Sequence, residues 1–197
     1  MIVKEDIYPL FRGFLIEERF KFAVRLIVKN RILGCNGYMV RKLLRRLVDR
    51  LSPRGLRFVL NHWRPFKGAG ITVDRITPDF RTIDASLRLY WYNQNYVGVH
   101  FGGSIFVLTD AFYMLILMKN LGKDYIVWDK AASIEFKKPG RGKVSATFTF
   151  TPEDIAEIRV KVDKENKYVF DRKVDVLDEQ GDVVASVVRT LYVRRKE

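Results

Sequence analysis

The sequence predicts an α+β fold in which a largely antiparallel sheet wraps around a central apolar helix. Three observations support this prediction. Apolar residues recur at helical spacing in the N-terminal third, they alternate with polar residues from Gly70 onwards, and one long apolar segment interrupts the alternating part. Alternation is typical of strands with one buried face. A segment that is apolar all round is typical of a helix inside a core.

Six strands are expected, at residues 70–77, 82–92, 125–137, 142–151, 167–178 and 182–194. In the second strand the predicted buried face comprises Ile83, Ala85, Leu87, Leu89 and Trp91. Hairpin turns are predicted at residues 139–142 and 178–182, which are rich in glycine, proline and aspartate. Such short connections favour antiparallel neighbours.

Two helices are expected between the strands. The first is the apolar segment, which begins at Gly102 and Gly103 and ends near Gly122. Asp110 is its only charged residue before Lys119, and an ionised carboxylate is costly in an apolar helix unless it is paired or faces a cleft. Backbone N–H groups at a glycine-rich helix start suit an anion or a developing oxyanion. The segment is therefore a candidate active site.

The second helix is expected to begin at Thr151-Pro152-Glu153-Asp154, which has the pattern of an N-cap followed by proline in the first turn. Its apolar side would consist of Ile155, Ile158 and Val162.

The N-terminal part is strongly basic and helical in pattern. Residues 1–67 contain 16 Lys and Arg against five Asp and Glu, whereas residues 68–197 contain 20 against 18. We expect a basic helical extension at residues 1–60 and one domain at residues 61–197. A solvated surface is the favoured interpretation. Peripheral contact of the basic helices with a membrane stays open, and nucleic acid is not favoured because the aromatic residues follow a helical core spacing.

The single cysteine, Cys35, excludes an intramolecular disulfide and indicates a reducing compartment. No secretory signal is apparent, and the apolar run at 103–118 is short for a membrane span and contains an aspartate. A cytoplasmic protein is therefore expected. Two histidines and one cysteine without ligand spacing argue against zinc, and there is no glycine-rich nucleotide loop, so no cofactor is predicted.

One motif resembles a known family. Asn95-x-x-Gly98 precedes the Gly102-Gly103 pair, and Asp110 follows two helical turns later. These spacings resemble the hotdog-fold acyl-CoA thioesterases, especially the phenylacetate-pathway branch with its uncharacterised subgroup, and the resemblance covers about residues 60–197.

The resemblance implies hydrolysis of an acyl-CoA or acyl-carrier-protein thioester. The amides of Gly102 and Gly103 would form the oxyanion hole, and Asp110 would be the nucleophile or the general base. Asn95 would orient the carbonyl or the attacking water. The family places this acid opposite a carbonyl bound by the neighbouring subunit, which implies a homodimer or a homotetramer. Coenzyme A would then take part only as a portion of the substrate.

Two further positions, a histidine and a polar strand residue, belong to the family pattern. The family histidine usually stands directly before the glycine pair, whereas here Phe101 holds that place and His100 precedes it, which turns a helical side chain by about 100°. His100 is kept among the catalytic candidates, with a role in packing as the alternative. Gly98 and Asp129 are expected near the substrate, since Asp129 falls near the family's polar strand residue; Ser133 lies a few residues on.

The turn at 137–143 contains four cations, of which Lys137, Lys138 and Arg141 are candidates for binding the phosphates of coenzyme A. The alternative is a solvated face. Structural roles also remain open for Asp110, as a buried carboxylate bonded to a backbone N–H or to Tyr113, and for Asn95, as a turn cap. For the whole protein, the alternative is a non-catalytic hotdog module that binds acyl groups or lipids.

Overall fold

Six antiparallel strands form one sheet in the computed structural model, which describes residues 50–196. The order across the sheet is β1-β2-β4-β5-β6-β3. The strands are β1 (Ile71–Ile76), β2 (Thr82–Arg88), β3 (Tyr125–Phe136), β4 (Lys143–Thr149), β5 (Lys167–Leu177) and β6 (Val183–Arg195). The helices are α1 (Pro53–His62), α2 (Arg64–Ala69), α3 (Gly102–Leu108), α4 (Phe112–Leu121) and α5 (Pro152–Glu165). The predicted α+β class and the order of elements are confirmed; the basic helices predicted before residue 50 lie outside the described residues.

Helix α1 was not predicted as a separate element, although its start has a clear signal. Ser52 is its N-cap, with the hydroxyl oxygen accepting from the Gly55 N–H, and Pro53 occupies the first turn. The side chain of Asn61 both donates to the Val73 carbonyl and accepts from the Val73 N–H, which fixes α1 on strand β1. The compact unit that contains the sheet runs from Asp49 to Glu197.

Strand β2 ends earlier than predicted, at Arg88. Beyond it the Leu89 N–H donates to the Gly142 carbonyl, and the Tyr90 N–H donates to the side chain of the buried Asn93. The alternating pattern therefore stops, and the prediction that Trp91 is buried was wrong, since this residue is 83% exposed. We call residues 89–101 the aromatic loop.

The turn at 178–182 joins β5 and β6 as the predicted hairpin, but the one at 139–142 does not form a hairpin. Strands β3 and β4 lie three positions apart in the sheet, roughly 14 Å at about 4.8 Å per strand. Six extended residues can reach about 20 Å. Residues 137–142, here called the crossover loop, therefore pass across the ends of β5 and β6, where the N–H groups of Lys137 and Lys138 donate to the Val184 carbonyl.

Helix α5 follows the sequence prediction closely. Thr151 and Asp154 form a reciprocal capping box, and Ile155, Ile158 and Val162 are buried. At the centre, Phe112 of α4 lies with its ring centroid 4.8 Å from that of Phe148 on β4. By length and composition alone Gly102–Leu121 would suffice to cross a membrane, but in this fold about half of it is buried inside the protein.

The central segment was predicted as one helix, but the structure contains two. Helix α3 ends at Leu108, and Ala111 adopts a positive φ of 69° before α4 begins. The Phe112 N–H donates to the Asp110 carbonyl at 2.9 Å, so a three-residue γ-turn closes around Ala111. A non-glycine residue in this conformation is strained by about 1–3 kcal/mol. The break places Asp110 at a corner of the chain instead of on a helix face.

We predict opposite effects of two substitutions at this corner. Ala111→Gly should raise the free energy of unfolding by about 0.5–1 kcal/mol, because relief of strain exceeds the entropy cost of glycine. Ala111→Val should lower it by about 1–3 kcal/mol, because a β-branched residue resists positive φ. Denaturant unfolding measures both.

The exposed Ala156 in the middle of α5 is the matched control. There Ala→Gly should destabilise by about 1 kcal/mol. Equal destabilisation by glycine at both positions would contradict the strained corner.

Candidate active site

A cluster of three charged side chains joins the break between α3 and α4 to the sheet. Arg189 lies in the inward row of β6, between the fully buried Val187 and Leu191, and only 4% of its side chain is exposed. Its Nη2 donates to Asp110 Oδ1 and, at 3.0 Å, to Asp129 Oδ2. The guanidinium carbon also lies 5.4 Å from the ring centroid of Phe106 on α3. One cation thus holds two carboxylates from two different elements.

A β-bulge directs Asp129 into this cluster. The pairing of β3 with β6 shifts between Asp129 and Ala131, so Lys130 is the extra residue. Bulges re-aim side chains and are frequent beside active sites. Asp129, which the sequence placed near the substrate, is consequently a partner of Arg189.

The cluster lowers the stability of the fold. Arg189 Nε and Asp129 Oδ1 are buried without a hydrogen-bond partner among the described residues. Each unsatisfied buried polar group costs about 1–3 kcal/mol, and buried ion pairs often stabilise no better than apolar residues. Groups retained against such a cost are typical of functional sites.

Asp110 is half-exposed, with 51% of its side chain accessible. Oδ1 is bound by Arg189, whereas Oδ2 has no hydrogen-bond partner among residues 50–196. The structural reading that paired it with Tyr113 does not hold: the Tyr113 hydroxyl donates to the Lys173 carbonyl at 2.9 Å, and burial raises the pKa of Tyr113 to about 12. The geometry leaves one carboxylate oxygen of Asp110 open to a ligand.

Gly102 and Gly103 are the first residues of α3, and their N–H groups have no acceptor among the described residues. A Cβ on Gly102 would lie 2.9 Å from Phe136 Cζ, and one on Gly103 would lie 2.3 Å from Phe101 Cε1. Both aromatic rings are about half-exposed. Helix α3 rises by about 9 Å over its six steps at 1.5 Å per residue, and Asp110 lies two residues beyond its last residue.

Asn95 and Gly98 shape the turn that precedes α3. The side-chain oxygen of Asn95 accepts from the N–H groups of Val97 and Val99, at 3.1 and 3.2 Å. Gly98 has a φ of 77°, which favours glycine there. Asn95 thus caps a turn through its oxygen, while its amide nitrogen has no partner among the described residues.

His100 fixes the aromatic loop to the crossover loop. Its backbone N–H donates to the Gly140 carbonyl at 3.0 Å, and its Nε2 lies 3.1 Å from the Gly142 carbonyl. The ring is buried, and burial lowers the pKa of His100, which favours the neutral imidazole. These contacts give it a clear role in packing.

The three cations predicted to bind phosphate differ in their partners. Lys137 pairs with Glu135 at 2.5 Å, and Lys138 pairs with Asp178 and Asp182 at 2.7 and 2.6 Å. The two aspartates raise the pKa of Lys138. Arg141 is exposed and has no ion-pair partner among the described residues, so it is the most available of the three.

Arg189 was missed by the sequence analysis, although the sequence contains a signal. In β6 the inward positions hold Ala185, Val187, Leu191 and Val193, and Arg189 falls in the same phase. A charged residue in the buried row of a strand predicts a buried partner of opposite charge. Ser133, by contrast, is exposed and pairs across from Val188.

The fold is shared with several solved structures. A protein from Pseudomonas aeruginosa described as a probable thioesterase superposes with a TM-score of 0.65 and 18% identity, over 73% of this chain and 97% of that one. A thioesterase from Haemophilus influenzae gives 0.55 and 18%, over 74% and 92%. A protein of unknown function from Chlorobaculum tepidum gives 0.59 and 12%, over 74% and 98%. At these identities the likeness establishes the fold, which is the hotdog fold predicted from the sequence.

No curated protein sequence matches the chain significantly. Residues 55–193, which include α3, the break at Asp110 and all six strands up to Val193, match the profile of a family described as a domain of unknown function, DUF4442. Since this match spans more than half of the sequence, the chain belongs to the DUF4442 family.

Proposed function

We propose that the protein hydrolyses an acyl thioester, with coenzyme A or an acyl carrier protein as the thiol, and that Asp110 is the reacting acid. The observation that carries this proposal is the half-exposed Asp110 carboxylate, anchored through one oxygen by buried Arg189 at a strained corner of the central segment. The hotdog fold supports it, because structures with this fold include proteins described as thioesterases.

Asp110 has two chemical routes to the same products. As a nucleophile, Oδ2 adds to the thioester carbonyl carbon, the C–S bond breaks with release of thiolate, and water then hydrolyses the acyl–aspartate anhydride. As a general base, the carboxylate takes a proton from water while the water oxygen adds to the carbonyl. The tetrahedral intermediate formed by this addition then collapses and expels the thiolate, which takes up a proton. Neither route needs a cofactor.

The developing oxyanion needs hydrogen-bond donors near the carbonyl. We assign this role to the N–H groups of Gly102 and Gly103, and a single such donor is worth about 3–4 kcal/mol in well-studied enzymes. The amide nitrogen of Asn95 is suited to orient the carbonyl or the water, and Gly98 leaves open space beside it. His100 then supports the site by fixing the loop that carries Asn95.

A second copy of the chain is required by this assignment. The glycine amides lie at the start of α3 and Asp110 lies beyond its end, about 9 Å or more away, so within one chain they cannot both contact one carbonyl. Exposed apolar side chains beside the helix start support a homodimer: Tyr96 is fully exposed, Val97 is 74% exposed, and Phe101 and Phe136 are about half-exposed. A homotetramer would contain the same pair.

An alternative is a hotdog module that binds acyl groups or lipids without turnover. It is favoured by the ion pair of Asp110 with Arg189 and by the inward orientation of His100 towards Gly142. Acyl-CoA binding in calorimetry without hydrolysis would support this alternative.

The finer assignments belong to the same proposal. We propose an enzyme of the phenylacetate-pathway-like branch, because the Asn95 to Asp110 spacing is that of the motif. A cytoplasmic location is proposed because the single cysteine suits a reducing compartment. Arg141 is proposed to contact a phosphate of coenzyme A, with Lys137 and Lys138 nearby. Contact of the basic N-terminal segment with a membrane is proposed from its charge alone.

Asp110→Asn should lower kcat for hydrolysis of an acyl-CoA panel by at least about 100-fold, because the amide is neither a nucleophile nor a base. Release of free thiol, followed with a chromogenic disulfide, measures the rate. Asp171→Asn, on the exposed face of β5, is the control and should keep wild-type activity. Full activity of the Asp110 variant would remove this residue from the mechanism.

The double variant Tyr96→Ser/Val97→Asp should halve the mass measured by light scattering and abolish hydrolysis, because it places a charge in the proposed interface. Val160→Asp is the matched control, since Val160 is 66% exposed on α5. It should change neither mass nor rate. A variant dimer with wild-type activity would place the interface elsewhere.

Arg141→Ala should raise KM for an acyl-CoA by about 3–10-fold through loss of a charged contact with phosphate. The same variant should keep its KM for the matching acyl-pantetheine, which lacks the nucleotide. Lys164→Ala, at the end of α5, serves as the control for loss of one exposed charge. Equal effects on both substrates would argue against phosphate recognition.

A further inference from the structure

The geometry points to Arg189, held in place by Asp129, as the positioning residue that fixes the reacting carboxylate of Asp110. This inference rests on the proposed hydrolysis, for which it adds two residues that do not themselves contact the substrate.

The support for Asp110 comes from a rigid part of the sheet. In β6, Arg189 is paired on one side with Arg172 of β5 and on the other with Ala132 of β3. Asp110 itself lies in a turn that has no regular backbone ladder around it. A side chain carried by a strand with neighbours on both sides can therefore hold a group in a turn within a narrow range of positions.

The contact with Arg189 also gives the two oxygens of Asp110 different roles. Nη2 of Arg189 engages Oδ1, and Oδ2 is free of partners among the described residues. With one oxygen anchored, rotation of the carboxylate is restricted and the open oxygen keeps one direction. Fixed orientation of a reacting group accelerates the chemical step without changing the affinity for substrate.

Asp129 is needed because the guanidinium must itself be fixed. Its Oδ2 accepts from the same Nη2 at 3.0 Å, and it reaches that atom through the bulge in β3. Since one nitrogen serves both carboxylates, movement of Asp129 would displace the contact to Asp110. The bulge in β3 thus places Asp129 so that it holds Arg189, and Arg189 in turn holds Asp110.

The cluster of Arg189, Asp129 and Asp110 contributes little to the stability of the fold. Arg189 Nε and Asp129 Oδ1 stay unpaired in the buried interior of the described chain. Apolar residues of similar size often replace such buried pairs without loss of stability. A variant that keeps the fold but loses the orientation of Asp110 can therefore separate the two roles.

The test variant is Arg189→Met/Asp129→Asn, which removes the cation together with its buried counter-charge and leaves Asp110 intact. We expect the thermal midpoint to stay within a few degrees of wild type and kcat to fall about 10–100-fold with KM nearly unchanged. Arg189→Lys should recover part of kcat, since an ammonium can pair with Asp110 but lacks the planar fork.

The matched control is Thr190→Val/Asp171→Asn, which removes an exposed polar pair between β6 and β5. Its kcat should equal that of wild type. An unchanged kcat in the Arg189 and Asp129 double variant would overturn the inference. A change confined to KM would also overturn it, because Arg189 would then be a contact of the substrate.

A second measurement separates this inference from the proposed reaction. Asp110→Asn is introduced into wild type and into the Arg189 and Asp129 double variant, and the thermal midpoints are compared as a double-mutant cycle. We expect a fall of several degrees only where Arg189 is present. If the midpoint falls only where Arg189 is present but neither wild type nor any variant hydrolyses an acyl-CoA, the proposed function is refuted and the contact is kept. Equal shifts in both backgrounds would refute the positioning role.

Discussion

The burial of one guanidinium governs how the parts of this domain meet. Arg189 stands in a row of apolar residues that face the central helices, and a charge in that position must be neutralised by acids that reach it. One acid comes from the corner between α3 and α4, the other from a bulge in β3. The irregular features of the helical segment and of the sheet thus converge on a single side chain.

The loops at the start of α3 depend on a second set of contacts. The buried Asn93 binds the backbone of three residues, Ala69, Arg88 and Tyr90, so the end of β2 and the end of α2 are tied together. His100 ties the same loop to the crossover loop. Because these bonds hold the backbone from inside, aromatic side chains such as Trp91 and Tyr96 are left pointing outwards.

The sequence was sufficient for elements whose signal is local. Alternation located the strands, and the Thr151 and Asp154 pattern located the start of α5. It was insufficient where a distant contact decides the structure. Alanine is the best helix former, so nothing at Ala111 marks a break, and only the pairing of Asp110 with Arg189 makes the corner understandable. A hairpin was predicted at the crossover loop because turn residues indicate that the chain changes direction. They do not indicate which strand pairs with the one that follows.

The break beside Asp110 also changes the electrostatics of the helical segment. A continuous helix would place this carboxylate halfway along one macrodipole, where neither end is near. Two helices create a new N-terminus at Ala111 and Phe112, and its positive end lies beside the acid. The opposing carbonyls at the end of α3 are occupied, since Phe106 and Val107 accept from Thr109 and Asp110. The break therefore brings the positive end of α4 next to the acid, a backbone contribution that a continuous helix would not supply at this position.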